Sequence, residues 1–149
     1  MNYETLKLEN QLCFPLYACS KEVVRLYTPF LKELDLTYTQ YIAMMVLWEN
    51  ETISVSELGK KLFLDTGTLT PLLKKLEQKK LITRNRSQLD ERVVMTQITK
   101  EGIELQEKAS SIPEKVGSCL PLSAEEAMTL YRLLYKVIDQ LKEDNQDDL

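Results

Sequence analysis

At 149 residues the chain has the length of one ordinary domain and can bury a core, and four glycines and five prolines leave little room for linkers, so residues 1–149 read as a single domain. A net charge of −4 and a sequence pI near 5 exclude a generic nucleic-acid binder that is basic all over. The absence of histidine, of C-x-x-C spacing among the three cysteines, of a leader pattern at 1–10 and of any apolar run of membrane-spanning length excludes the usual metal sets and predicts a soluble, cytoplasmic chain with no membrane partner.

The first predicted element is a long helix from about Leu8 to Leu34. Cys13 and Tyr17 are four apart and stack on one face, and Tyr27, fourteen residues on at about 100° each, returns to within roughly 40° of Cys13. Pro15 argues that the regular helix starts or kinks close to Cys13. A cysteine near a helix N-terminus with tyrosine hydroxyls at hand is suited to be held as a thiolate. It is equally suited to be a small buried hydrophobe beside tyrosines that merely pack, and the residues alone leave both readings open. Cys19, about 120° around the helix, is assigned to packing. Thr37 and Gln40 form a T-x-x-Q capping box for a second helix carrying Ile42, Met45, Val46 and Trp48, with Tyr38 at its start able to fold back toward the first.

Ser54 and Glu57 make an S-x-x-E box for a short helix with Val55, Leu58 and Leu62 inward and an end near Phe63. After the turn Leu64–Gly67, Asp65 is the expected N-cap of a helix that buries Leu69, Leu72, Leu73 and Leu76 and turns Thr66, Thr68, Thr70, Lys74 and Lys75 outward. Two strand-like runs follow, Leu81–Arg86 and Arg92–Ile98, joined by the polar tip Ser87–Glu91. The predicted fold class is therefore mainly α with a small β-hairpin wing, a winged helix-turn-helix module at 53–100 between flanking helical regions at 1–52 and 101–149. In such a module the second helix sets its first residues against base edges, and the hairpin arginines Arg84, Arg86 and Arg92 add cationic contacts. Carboxylates at a phosphate-facing tip repel the ligand unless they brace an arginine, so Asp90 is read as the brace of Arg92, with Arg92 entering the minor groove.

Charge by segment agrees: residues 53–100 hold ten Lys or Arg against five acids, while the flanks carry four against seven and five against eleven. An ordinary solvated face accounts for the lysines but not for arginines arriving directly after two capped helices. Beyond the module, Thr99 is expected to cap a helix from Lys100 past Ala109. Ser123 and Glu126 form a third box for a terminal helix with Leu130, Leu133, Leu134, Val137, Ile138 and Leu141 on one broad side. The acidic tail Glu143–Leu149 is expected to fray. The terminal helices are more apolar than one small domain needs, which predicts a twofold homodimer whose two recognition helices meet a palindromic site on double-stranded DNA.

Leu8-Glu9-Asn10-Gln11-Leu12-Cys13-Phe14, Leu36-Thr37-Tyr38-Thr39-Gln40-Tyr41, the run from Leu64 to Glu77 and the hairpin Asp90-Glu91-Arg92 together resemble the OhrR branch of MarR-family repressors and its SarZ-like relatives. The resemblance covers nearly the whole chain. It implies that Cys13 is a redox sensor, that Tyr27 and Tyr38 hold its thiolate across a subunit boundary with Tyr17 nearby, and that Thr68, Thr70, Lys74 or Lys75, and Arg92 face DNA. It also implies two possible ends for oxidised Cys13, a mixed disulfide with a low-molecular-weight thiol or an intersubunit disulfide to Cys119, which stands at the position of a resolving cysteine. Pro15, where relatives often carry an aliphatic residue, departs from the pattern.

The expected function is a DNA-binding transcriptional repressor that senses organic hydroperoxide or another oxidant through Cys13 and then releases its operator. An alternative is a MarR-like regulator gated by a small aromatic ligand, for which Cys13 is a bystander. A thiol peroxidase is disfavoured because no peroxiredoxin P-x-x-x-[TS]-x-x-C pattern is present. No cofactor and no enzymatic activity are called for.

Overall fold

The computed structural model describes the backbone of residues 3–146 and the side chains of residues 3–142. Where the sequence reads as one domain, two compact units are found, Met1–Val116 and Gly117–Leu149. In the first unit the elements run α1 (Cys13–Glu33), α2 (Tyr38–Asn50), β1 (Thr52–Ser54), α3 (Val55–Leu62), α4 (Thr66–Gln78), β2 (Ile82–Arg86), β3 (Val94–Ile98), α5 (Lys100–Ala109) and α6 (Ile112–Gly117). The second unit holds α7 (Ala124–Gln146).

The long helix expected from Leu8 begins at Cys13 instead. Two short 3-10 turns, Glu4–Leu6 and Leu8–Asn10, precede it. They are held by side chains bonding back to the main chain: Asn10 Nδ2 donates to Glu4 O at 2.7 Å, and Gln11 Nε2 to Lys7 O at 3.1 Å. Pro15 then sits in the first turn of α1, where an N–H has no helical partner in any case, so the proline fixes where the helix starts rather than kinking it.

The Thr37–Gln40 box forms in full, with Gln40 N donating to Thr37 Oγ1 at 3.3 Å and Thr37 N to Gln40 Oε1 at 3.2 Å. Of the apolar residues expected on α2, Ile42, Val46 and Trp48 pack half-buried against the core. Tyr41, Ala43, Met44 and Leu47 are the buried apolar residues, while Met45 is 44% exposed, because α2 lies at the centre of the unit and is covered on most of its circumference. The Ser54–Glu57 pair caps α3 by a different exchange. Glu57 N donates to Ser54 Oγ at 3.2 Å, and the serine hydroxyl donates to the Glu57 carboxylate at 2.7 Å, which holds that carboxyl below its ordinary range.

Three helices close alike. Leu36 N bonds Leu31 O, Leu64 N bonds Gly59 O and Leu81 N bonds Leu76 O, the six-to-one bond of a Schellman end, over Asp35, Phe63 and Lys80 in left-handed conformations. Glycine normally takes that position; here a leucine placed directly after each turn ties the end to the core instead.

The β content exceeds the expected hairpin. β3 is the middle of a three-stranded antiparallel sheet in the order β1-β3-β2, with Ile53 opposite Thr96 on one side and Arg84 opposite Thr96 on the other. β1 has three residues, the last of them Ser54, expected only as the cap of α3, and is too short to show alternation. Leu58, Leu69, Leu73, Leu76 and Ile82 join Met44 and Leu47 in a single core. Thr99 caps α5 by accepting from Gly102 N at 3.1 Å; the helix ends at Ala109, and α6 appears as a separate short helix where one longer helix was expected.

In the second unit the Ser123–Glu126 box is complete, at 2.8 and 3.2 Å. α7 extends to Gln146, past the expected point of fraying at Glu143, and 147–149 lie outside the described residues. Its apolar side chains are open to solvent, among them Leu130 at 41%, Leu133 at 52% and Val137 at 51%.

Candidate nucleic-acid interface and sensor region

On α4 the leucines point inward and the expected hydroxyls and lysines outward, as the spacing requires. Asp65 caps the helix through Thr68 N at 2.8 Å, and Thr68 Oγ1 also donates to the carboxylate at 3.1 Å. These two bonds hold the Asp65 carboxyl below its ordinary range. Thr70 Oγ1 donates to Thr66 O at 2.8 Å. With both hydroxyl protons committed to the helix's own first turn, Thr68 and Thr70 present lone pairs and methyl groups outward. That pattern suits base-edge donors such as the amino groups of adenine and cytosine, and the thymine methyl.

The wing separates its three arginines. Asp90 grips Arg92 in the expected way, with Oδ1 accepting from Nε at 3.1 Å and Oδ2 from NH2 at 3.2 Å, and the carboxyl is held low by this pairing. The guanidinium face stays out, since the Arg92 side chain is 90% exposed. Arg86 NH1 donates to Glu91 O at 2.6 Å, tying the strand to the tip. Arg84, expected on the DNA side, is instead turned against α4. Its NH2 meets Glu77 Oε2 at 2.9 Å and its own N–H reaches Oε1 at 3.2 Å, so it joins the recognition helix to the wing. This side-to-backbone clamp pulls the Glu77 carboxyl down. Glu77 is a functional residue that sequence reasoning missed, since a pair seven residues apart across a turn leaves no periodic signature.

Lys79, also missed, stands at the other end of α4. Its Nζ forms an ion pair with Asp35 Oδ2 at 3.1 Å, bonds Asp35 O, and lies 3.5 Å from Gln40 Oε1. The recognition helix is thereby pinned at its C-terminal end to the α1–α2 corner.

The sensor residues divide into two places. Cys13 is exposed at the first residue of α1, behind Leu12, which gives the helix no side-chain cap. Tyr17 is one turn on, with Lys21 Nζ 5.1 Å over its ring. Tyr27 shares the stripe but lies about 21 Å further along the axis at 1.5 Å per residue, so one chain cannot bring its hydroxyl to Cys13. It packs instead edge-on against Tyr38, with ring centroids 5.0 Å apart, and against Tyr41 at 5.8 Å. Burial, then the neighbouring tyrosine, pushes the Tyr38 hydroxyl above its ordinary value, which keeps it a proton donor. Cys19 is exposed rather than packed, because its side of α1 has no cover in the single chain. Cys119 is an exposed thiol of the second unit. Among the described residues no cluster of metal-ligating side chains occurs, and no helix is long and apolar enough to cross a membrane.

Residues 25–109 match the family described as transcriptional regulator SarA/Rot. An organic hydroperoxide resistance transcriptional regulator of Bacillus subtilis is 46% identical over 143 residues, 96% of this chain and 97% of that protein. The regulator SarZ of Staphylococcus saprophyticus is 42% identical over 133 residues, 89% of this chain and 91% of that one. Reduced AbfR bound to DNA gives a TM-score of 0.79 at 34% identity over 96% of this chain and 98% of the other. AbfR with its disulfide formed gives 0.62 at 35% identity over 94% and 95%.

Proposed function

The chain belongs to the SarA/Rot family of transcriptional regulators, in its OhrR- and SarZ-like branch, and from that premise we propose that it is a cytoplasmic, dimeric, DNA-binding repressor, not an enzyme, whose affinity for its operator is set by oxidation of Cys13. The observation that carries the reading is an exposed thiol on the first residue of α1, in a chain alike over nearly its whole length to a hydroperoxide-resistance regulator. An uncapped helix N-terminus favours negative charge in its first turn, which suits a thiolate nucleophile.

The Cys13 thiolate attacks the terminal peroxide oxygen and the O–O bond breaks, leaving the sulfenic acid on Cys13 while the alkoxide takes a proton from solvent and departs as the alcohol. The Cys119 thiol of the partner subunit then displaces water to form the disulfide, and the hydroperoxide has taken two electrons. Where no second thiol arrives, a low-molecular-weight thiol makes a mixed disulfide by the same condensation. Tyr27 and Tyr38 serve Cys13 of the partner subunit, since the length of α1 denies them their own. The exposed apolar side chains of α7, with those of α1 such as Phe14 and Leu16, supply the dimer contact. On DNA, Thr66, Thr68, Thr70, Lys74 and Lys75 face the major groove and Arg92 the minor, with Arg86 shaping the tip.

The test is intact mass under denaturing, non-reducing conditions after one equivalent of organic hydroperoxide, for the native chain and Cys119→Ser. A covalent dimer lost in Cys119→Ser supports the two-cysteine route; a monomer with oxygen or a small thiol on Cys13 supports the one-cysteine route. An unmodified Cys13 sinks the redox reading. A ligand-gated reading has one observation in its favour, a groove of about 540 Å³ between the α1–α2 corner and α4, where Lys75 and Lys79 meet Tyr38. It requires release of DNA by ligand while every thiol stays reduced.

A further inference from the structure

Four aromatic side chains run without a gap from the sensor tyrosines to the root of the wing. Tyr27 contacts Tyr38 and Tyr41, and Tyr41, only 2% exposed, stands edge-on to Trp48 with centroids 6.1 Å apart. Trp48 Nε1 donates to Gly102 O at 2.8 Å, joining residues 54 apart in sequence. Gly102 has no slack around it. A Cβ there would lie 2.4 Å from Leu81 O, just before β2, and 2.7 Å from Ile98 Cγ1, where β3 ends. The same corner is closed by Thr99 N on Leu81 O at 3.0 Å and Thr99 Oγ1 on Lys80 O at 2.7 Å. Tyr38 borders the groove beside α4, and Tyr41 and Trp48 border a second groove of about 290 Å³, so displacement is passed here by the ring contacts and the Trp48–Gly102 bond rather than by close packing on every side. These contacts connect Tyr27 and Tyr38 to the base of the hairpin that carries Arg92 at its tip.

We propose that Trp48 is the positioning residue that couples the Tyr27–Tyr38 pair to the wing, its indole N–H fixing the start of α5 against the wing's root. The coupling rests on the redox reading of Cys13 and adds to it the route by which oxidation moves the wing. Trp48 touches neither the oxidant nor DNA. Phenylalanine in its place keeps an aromatic ring against Tyr41 and removes the only donor, so it separates packing from the bond to Gly102.

The experiment uses the full-length chain and a palindromic duplex selected from random-sequence DNA by the reduced native protein. Binding is measured before and after one equivalent of cumene hydroperoxide for the native chain and Trp48→Phe, with Cys13 modification followed by mass in each. The native chain is expected to lose at least about tenfold in affinity, a usual size of allosteric coupling, and Trp48→Phe to bind equally well when reduced but to lose less than about threefold although its Cys13 is oxidised. Release from Trp48→Phe equal to native, or loss of its reduced binding, would overturn the proposal. Trp48 is the only tryptophan, so the native protein carries a second readout free of any folding defect in the variant. Its emission is expected to change with the same end point as Cys13 modification, and unchanged emission on full oxidation and release would likewise overturn the coupling. Cys13 left unmodified by the hydroperoxide would overturn the redox reading itself and the coupling with it.

Discussion

Asp90 engages two guanidinium nitrogens of Arg92 and so fixes its pose while leaving the cation exposed. Arg92→Ala is expected to weaken operator binding and to lower the slope of log affinity against log salt by about one or less, measured by titration at several salt concentrations. Unchanged affinity would remove the wing from the interface. Asp90→Ala should weaken binding less, since the charge remains and only its preorganisation is lost. Titration limits follow from the same local bonds. Asp65, Glu77 and Asp90 have folded values held below the ordinary carboxylate range by Thr68 and the two arginines. Their stabilisation is complete above about pH 4 to 5 and is lost as pH falls through the depressed values. Tyr38 and Tyr41 are raised by burial, so their contribution is complete below about pH 10 and is lost as pH rises through the raised values. Thermal melts across both limbs should show a plateau between them; a melting temperature constant down to pH 3 would contradict the assigned pairings.

The elements take their bounds from signals of unequal strength. Five helix starts were legible because Thr37, Ser54, Asp65, Thr99 and Ser123 each satisfy orphan N–H groups over a span of three residues, a purely local matter; α1, which has no side-chain cap, starts five residues after the expected Leu8. Helix ends were less so, because no described glycine has positive φ and Asp35, Phe63 and Lys80 take the left-handed position instead. Relieving one should help: Lys80→Gly is expected to gain up to about 1 kcal/mol in denaturant melts, the left-handed penalty less the extra freedom of glycine in the unfolded chain. Loss is expected from Gly102→Ala, about 1–3 kcal/mol, since the new methyl meets a backbone oxygen that cannot yield. Leu73→Ala, emptying a fully buried site, should cost roughly 2–5 kcal/mol. β1, the central placement of α2 and the pairings of Arg84 with Glu77 and Lys79 with Asp35 were not legible. β1, α2 and Lys79 are decided by partners distant in the chain, to which a window of eleven to eighteen residues is blind, while Arg84 and Glu77, seven residues apart across a turn, match neither helical nor strand spacing.

At the scale of the whole molecule, the capped helices, the hydroxyl-led α4 and the Asp90–Arg92 tip were all readable in sequence, and so was the stripe of Cys13, Tyr17 and Tyr27. What the stripe concealed was its length, since residues on one face of a straight helix can lie too far apart to meet. In the proposed sensor two chains supply its residues, and Leu133→Glu on the exposed side of α7 is expected to give monomers by light scattering and to abolish both operator binding and the covalent dimer. A dimer that persists would move the contact away from that face.

The openness of α7 has a further consequence for abundance. A helix whose apolar side chains face water in the single chain gains its stability by association, so folding and pairing become one equilibrium governed by mass action. Each tenfold dilution then removes about 1.4 kcal/mol per dimer. A cell that lets such a regulator run low loses occupied DNA sites twice over, from fewer molecules and from a smaller folded fraction, so depletion by itself steepens the response without any oxidant.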